Sequence, residues 1–359
     1  MGTAVLRHAF VGSVTELLRA KYGLIVTSQR QLDGYVDVNV WVDVSDVITN
    51  PHINERHHDG YVVKLINEND SQRPPLLDAR QRLMLYVNKA GIPAPLPVRT
   101  ITGCYTSSVE LVTKGDVIKR QIVVMSFFRG IVLSDLSMTP DVLQELGRIT
   151  GKLNICMQGD NSLANLQTFP DITSLEYDSV WKVCECGQLL SLVEHAPGEK
   201  LRTMSISIIT EFNSKVVPNL QTYQTGLIHH DVGPQNIVMR QDMDQRWKMA
   251  AILDFGDVCS SCYVFEVAIL LSNIFMNEFS RSMTTSEMAL TRDTVFDSYT
   301  AVKPLSTNEK EVVDICVEAR ILQCCLLGEK TRETDPGNDY IGDYICWELL
   351  ESLCNTCRD

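Results

Sequence analysis

The chain has 359 residues, 45% of them hydrophobic and 21% charged, which is the balance of a chain that buries a core and excludes one that is disordered throughout. A single core stops growing at roughly 250 to 300 residues, so two lobes are expected. The formal net charge of -13 repels nucleic-acid phosphates and anionic membrane surfaces and suits a small cationic partner; neither nucleic acid nor membrane is expected to bind.

Met1 to Ala20 carries an apolar stretch broken by Arg7, His8, Glu16 and Arg19, the pattern of a surface helix rather than of a secretory h-region. Gly2 lacks the Ser or Thr four positions on that a myristoylation acceptor wants, since Leu6 stands there. Leu32 to Val44 alternates around Asp33-Gly34, which predicts strand, turn and strand, and Tyr61 to Ile66 predicts another strand. After Pro74-Pro75, the residues Leu76, Leu77, Leu83, Met84 and Val87 recur at helical spacing, and the pattern stops before Gly91. Gln121 to Phe128 predicts a further strand. Thr139-Pro140-Asp141 reads as a helix start, with Thr as cap and Pro in the first turn.

From there the pattern is helical apart from one strand-rich stretch, Gly226 to Phe255. The most apolar run, Tyr263 to Met276, is shorter than the roughly 20 residues of a membrane span and contains Glu266 and Asn273. Twelve cysteines without an h-region point to a reducing compartment, the cytoplasm. Cys259/Cys262 and Cys354/Cys357 have zinc-ligand spacing, but no Gly-rich knuckle surrounds them and they lie far apart, so small buried hydrophobes are the preferred reading. The expected fold class is α+β, with a strand-rich lobe over residues 1–128 and a mainly helical lobe over 129–359.

The chemistry concentrates in the strand-rich stretch. It reads His229-His230-Asp231-Val232-Gly233-Pro234-Gln235-Asn236 and then Ile252-Leu253-Asp254-Phe255-Gly256-Asp257. Phosphoryl transfer asks for a carboxylate that orients a hydroxyl and receives its proton, and for hard oxygen ligands to Mg2+. An Asp followed five residues later by an Asn, and then a strand ending in Asp-Phe-Gly, supplies that set. Each piece alone also occurs in structural turns; the three in this order are far more specific.

With these motifs the sequence resembles the protein-kinase superfold, and within it the aminoglycoside-phosphotransferase and choline-kinase branch. Gly233-Pro234 replaces the Lys that protein kinases carry two positions after their Asp, which disfavours protein substrates. His230 is a departure, because the branch usually has Gly there. The resemblance implies a two-lobed protein-kinase-like fold, Asp231 as catalytic base, and Asn236 and Asp254 as Mg2+ ligands. His229 would steady the loop as a core residue, and Glu266, in Tyr263-Val264-Phe265-Glu266-Val267-Ala268, would anchor the loop's backbone. In the first lobe Lys64 of Val62-Val63-Lys64-Leu65 would hold the nucleotide's phosphates, with Asp78 as its partner in place of the usual Glu. Gly34 to Asn39 resembles the phosphate-covering turn. Val124 to Gly130 resembles the hinge, where Ser126 and Phe128 would meet the base. Asp257 is a candidate contact for a substrate amine, with a turn-stabilising Asp as the alternative.

Tyr61-Val62-Val63-Lys64, Ala90-Gly91-Ile92-Pro93 and Ile252 to Asp257 followed by Tyr263 to Ile269 extend the resemblance to the hydroxylysine kinase family. That likeness spans both lobes and is strongest from residue 226 to 270. It implies a divalent metal, and GTP as donor to 5-hydroxy-L-lysine, a small cationic amino alcohol. The residues themselves leave ATP open as donor. They also leave open a choline, homoserine or aminoglycoside kinase, or a pseudokinase that binds nucleotide without turnover.

Overall fold

Apolar residues at every second position along the first third of the chain build an antiparallel sheet in the computed structural model, which describes residues 3–34, 36–113, 116–158, 175, 179–277, 282–334 and 344–356. Helix α1 (Thr3–Tyr22) leads into β1 (Leu24–Leu32), β2 (Val38–Ile48) and β3 (Tyr61–Leu65). The short α2 (Glu68–Ser71) and α3 (Pro74–Lys89) follow, then β4 (Thr106–Thr113) and β5 (Asp116–Ser126). The strand order is β1-β2-β3-β5-β4, each neighbour antiparallel. Val38, Val40, Val42 and Val44 of β2 share one core with Tyr61, Val63 and Leu65 of β3 and with Phe10, Val14, Leu17 and Leu18 of α1.

Two strands escape the alternation rule. β1 is an edge strand exposed along most of its length, so Thr27-Ser28-Gln29-Arg30-Gln31 carries no apolar period; the predicted strand at Leu32 is only its last residue. β4, at the other edge, turns only Val109 and Leu111 inward as buried hydrophobics. Helix α3 opens on Pro74, buries Leu76, Leu77, Leu83, Met84 and Val87, and is followed by Gly91 at φ 87°, a left-handed position that Gly takes without strain.

The described residues fall into two compact units, one from those within 1–130, 175 and 240–253, the other from those within 131–158, 179–239 and 254–359. Along the chain come β6 (Ile131–Val132), α4 (Pro140–Met157), α5 (Glu199–Lys215), β7 (Thr225–Ile228), β8 (Ile237–Gln241), β9 (Trp247–Ile252), β10 (Cys259–Cys262), α6 (Tyr263–Met276), α7 (Thr285–Thr300), α8 (Thr307–Lys310), α9 (Val313–Thr334) and α10 (Trp347–Thr356). Pro140 stands at the first turn of α4, although the Thr139 side chain makes no capping hydrogen bond.

Every residue of α6 is buried, so the apolar run Tyr263–Met276 is the central helix of the second unit, and among the described residues no helix is long and apolar enough to cross a membrane. Cys259 and Cys262 are free thiols pushed up to about 12 by burial, which makes them inert core residues. Cys357 lies outside the described residues.

Candidate active site

Two strand ends position the second unit's chemistry. β7 pairs antiparallel with β10, Ile228 opposite Cys259, so the loop that leaves β7 and the turn that enters β10 lie side by side. His229, fully buried, sets its ring 4.8 Å from that of Phe255, and its Nδ1 accepts from the Asp231 amide at 3.3 Å. His230 sits at φ 67°. This is the left-handed region, which accounts for the Gly expected at that point: a non-glycine residue is accepted here at a cost of roughly 1–2 kcal/mol. Burial pushes the His230 imidazole well below its usual range, so the ring is neutral. Its amide donates to Glu266 Oε2 at 3.2 Å. Glu266 is fully buried in α6, and burial pushes its carboxyl up to about 8 against the pull of the His230 and His229 amides.

Asp231 keeps 27% of its side chain exposed. Its Oδ2 accepts from Asn236 Nδ2 at 2.7 Å, and the same nitrogen donates to the Asp231 carbonyl at 2.8 Å. Asn273 Nδ2, from α6, donates to the Val232 carbonyl at 3.0 Å and to Asp231 Oδ1 at 3.5 Å. Gly233 is required by this approach, since a Cβ there would stand 2.6 Å from that of Asn273. Burial, then the charge of Asp257, and further that of Asp254, push the Asp231 carboxyl up to about 7, while Arg320 and Asn236 pull it down.

Asp254 is itself left-handed, at φ 57°, ahead of the turn Phe255–Asp257. Asn236 spends its Nδ2 on Asp231, and among the described residues nothing donates to its Oδ1. That amide oxygen and the Asp254 carboxylate are hard donors of the kind Mg2+ takes, so the residues fit a divalent cation.

The first unit gathers a second group. Lys64, on β3, places Nζ 3.1 Å from Asp37 Oδ2, with both side chains mostly buried. Asp37 Oδ1 accepts from the Asn67 amide at 2.7 Å and from Asn67 Nδ2 at 3.1 Å. Register sets Asn39 opposite Lys64, and Asn39 Nδ2 donates to the Asp33 carbonyl at 3.1 Å across Gly34, where a Cβ would come within 2.6 Å of it. Gly34, Asn39 and Lys64 thus stand together; Tyr35 lies outside the described residues.

The expected Lys64–Asp78 pair is not formed. Asp78 Oδ2 is taken by Arg82 Nε one turn along α3, at 2.5 Å, with both side chains 41% exposed. The short Asp stem and a guanidinium at i+4 account for this. Asp37 carries no signal in the sequence beyond an acid inside the turn. Lys64→Ala is expected to lower kcat/KM and to combine less than additively with Asp37→Ala, with a coupling of about 0.5–3 kcal/mol, while combining with Asp78→Ala to within about 0.5 kcal/mol of additivity. Double-mutant kinetics check this, and additivity with Asp37 would remove that residue from the site.

At the end of β5, Ser126 is buried and its Oγ accepts from the Leu96 amide at 2.8 Å, while its own amide donates to the Leu96 carbonyl at 2.9 Å. The Phe127 amide goes to the Gly60 carbonyl at 3.0 Å and the Arg129 amide to Asp59 Oδ2 at 3.1 Å. Asp59 is buried and also takes Arg240 Nη2 at 2.7 Å, and Arg240 closes on the Arg129 carbonyl. Among the described residues, the Phe128 amide is the one of these four donors left without a partner.

Residues 49–299 match the phosphotransferase enzyme family. The hydroxylysine kinase of Xenopus laevis is 24% identical over 351 residues, covering 94% of this chain and 88% of that protein. An amicoumacin kinase solved in complex with AMP-PNP and Ca2+ superposes with a TM-score of 0.66 at 11% identity, over 99% of this chain and 96% of its own. A microcompartment-associated aminopropanol kinase does so with a TM-score of 0.66 at 15% identity, over 97% and 95%. The fold is that of the protein-kinase-like phosphotransferases, α+β with a five-stranded antiparallel sheet. With a carboxylate, an amide oxygen and two further carboxylates assembled at the ends of β7 and β10, the chain belongs to the phosphotransferase enzyme family and is a kinase with an alcohol group as acceptor.

Proposed function

We propose that the protein transfers the terminal phosphate of GTP, or of ATP, to the hydroxyl of 5-hydroxy-L-lysine. Asp231 held by Asn236 beside the Asp254 and Asp257 carboxylates carries this reading, supported by a likeness to hydroxylysine kinases that runs through most of both chains. Asp231 orients the acceptor hydroxyl and takes its proton as the new oxygen–phosphorus bond forms and the bond from the terminal phosphorus to the bridging oxygen breaks, releasing the nucleoside diphosphate. Asn236 and Asp254 would hold Mg2+, which when bound neutralises charge on the phosphate oxygens.

Lys64 meets the phosphates, and Asp37 takes the orienting role that the resemblance gives to Asp78. The Phe128 amide, with the carbonyls around Ser126, meets the nucleotide's base. His229 and Glu266 hold the catalytic loop, and Asp257 faces an ammonium of the acceptor. The buried thiols suit a reducing cytoplasm.

Purified protein with Mg2+ is expected to turn over 5-hydroxylysine with a higher kcat/KM than choline, homoserine or an aminoglycoside, and to favour GTP. Lysine, which lacks the hydroxyl, only inhibits. Turnover of choline with none of hydroxylysine overturns the acceptor; nucleotide binding with no turnover of any acceptor returns the pseudokinase reading, for which Asp78 in place of the usual Glu and the glycine-poor turn Gly34 to Asn39 are the motive.

A further inference from the structure

A guanidinium lies beside the catalytic loop with three of its five N–H donors making no hydrogen bond among the described residues. Arg320, in α9, is 6% exposed. Its Nη1 donates to the Trp181 carbonyl at 3.1 Å and to Gln323 Oε1 at 2.9 Å. Gln323, itself buried, is held by donating Nε2 to the carbonyls of Val180 at 2.5 Å and Lys182 at 3.3 Å. The Trp181 ring lies 5.4 Å from the guanidinium carbon. Three contacts therefore fix the plane of the group through one nitrogen and one face.

The other edge is different. Nη2 stands 3.7 Å from Asp231 Oδ1, too far for a hydrogen bond, and Nε is buried with no hydrogen-bond partner among the described residues. Nε and the outer Nη form the side-on fork of an arginine, two parallel donors spaced for the two oxygens of a carboxylate. Leaving such donors unmade in the interior is costly, and an oriented, unfilled fork beside the base that receives the acceptor's proton is the feature of a ligand subsite.

We infer that Arg320 is the anchor for a carboxylate on the acceptor, so that the enzyme takes amino acids bearing a hydroxyl in preference to simple amino alcohols. The inference rests on the amino-acid acceptor proposed above and adds what recognises it. Around Asp231 the charges are sorted: the Asp254 and Asp257 carboxylates act on it as anions, and Arg320 acts as the cation. A zwitterion lies across that pattern with its carboxylate on Arg320, its hydroxyl at Asp231 and its side-chain ammonium toward Asp257. Net negative charge favours any cation and does not separate choline from hydroxylysine; the fork does.

The test compares matched acceptors that differ only in the carboxylate: 5-hydroxylysine against 1,5-diaminopentan-2-ol, and homoserine against 3-aminopropan-1-ol. The wild type is expected to favour the carboxylated member by on the order of 100-fold in kcat/KM. Arg320→Gln is expected to bring that ratio within about threefold of one, with nucleotide affinity and Tm held. Arg320→Lys, which keeps the charge and loses the fork, is expected to fall between, and it decides the question if Arg320→Gln does not fold.

An unchanged ratio with kcat lowered equally on both members means that Arg320 only positions Asp231, and overturns the inference, as does a wild type that favours the carboxylate-free members. A homoserine preference that Arg320→Gln abolishes, without turnover of hydroxylysine, upholds the anchor and overturns the proposed acceptor. Calorimetric binding of L-lysine against 1,5-diaminopentane to the nucleotide-loaded protein makes the same comparison without turnover; equal affinities in the wild type overturn the anchor.

Discussion

Asp231→Asn is expected to lower kcat by about 10³-fold, the middle of the range for loss of a general base, and to leave nucleotide affinity within about twofold. The substitution is isosteric, and the new amide oxygen still accepts from Asn236, which now donates to Asp231 Oδ2 at 2.7 Å. The loop's other supports, the His229 ring and the Glu266 carboxylate, act on backbone amides that the change does not touch. What is lost is the group proposed to receive the proton. One negative charge also leaves a cluster of three carboxylates, which relieves repulsion toward the incoming phosphates.

A pH profile adds a second readout of the same residue. As the proposed base Asp231 has to be ionised, and its carboxyl is pushed up to about 7 by burial and then by Asp257. The kcat/KM of the wild type is expected to rise with pH through that value and to fall about tenfold per unit below it, and the variant is expected to lose this limb. A variant with unchanged kcat shows that another group is the base.

The parts of this site that could be read from residue order are those whose role is tied to a fixed spacing. Asp231 and Asn236 are five apart because one side chain must reach back to the other's carboxylate and carbonyl, and Asp254 opens the turn that enters β10, the partner of β7. Such constraints leave a mark in the chain. The partner of Lys64 does not, because any acid that comes within reach will serve: Asp78 is in the anticipated helix, yet Arg82 occupies it, and Asp37 arrives from the turn before β2. Arg320 leaves no mark for the same reason, being one arginine in a helical run some ninety positions beyond Asp231, which it faces.

The fold shows the same division. β2 and β3 pack both neighbours and core, so they alternate, and α3 carries its apolar stripe. β1 and β4 are edges with few inward residues, and only pairing with β2 and β5 makes them strands. His230 stands where the branch has Gly, which is an anomaly in the chain, and the backbone at φ 67° turns it into a tolerated strain beside Asp231, with the His230 amide itself held by Glu266.

Asp254→Ala is expected to act on binding and rate together, which separates it from Asp231→Asn. Its carboxylate is the charged member of the oxygen pair that would hold Mg2+; Asn236 offers only a neutral amide oxygen, whose own nitrogen is committed to Asp231. A site left with the amide alone loses most of its attraction for a divalent ion, so saturation with Mg2+ is expected to need at least about tenfold more metal. Charge neutralisation in the transition state is worth several kcal/mol, and at 1.36 kcal/mol per tenfold this sets the loss in kcat/KM at about 10³-fold or more. The backbone cost works the other way: Asp254 sits at φ 57°, and alanine tolerates that region less well, so a fall in Tm of a few degrees accompanies the change. Asp254→Asn keeps the left-handed preference and a single neutral oxygen, and is expected to recover Tm without recovering the Mg2+ requirement. Titrating activity against Mg2+ at saturating nucleotide distinguishes the two effects, and a normal Mg2+ dependence in Asp254→Ala would place the metal elsewhere.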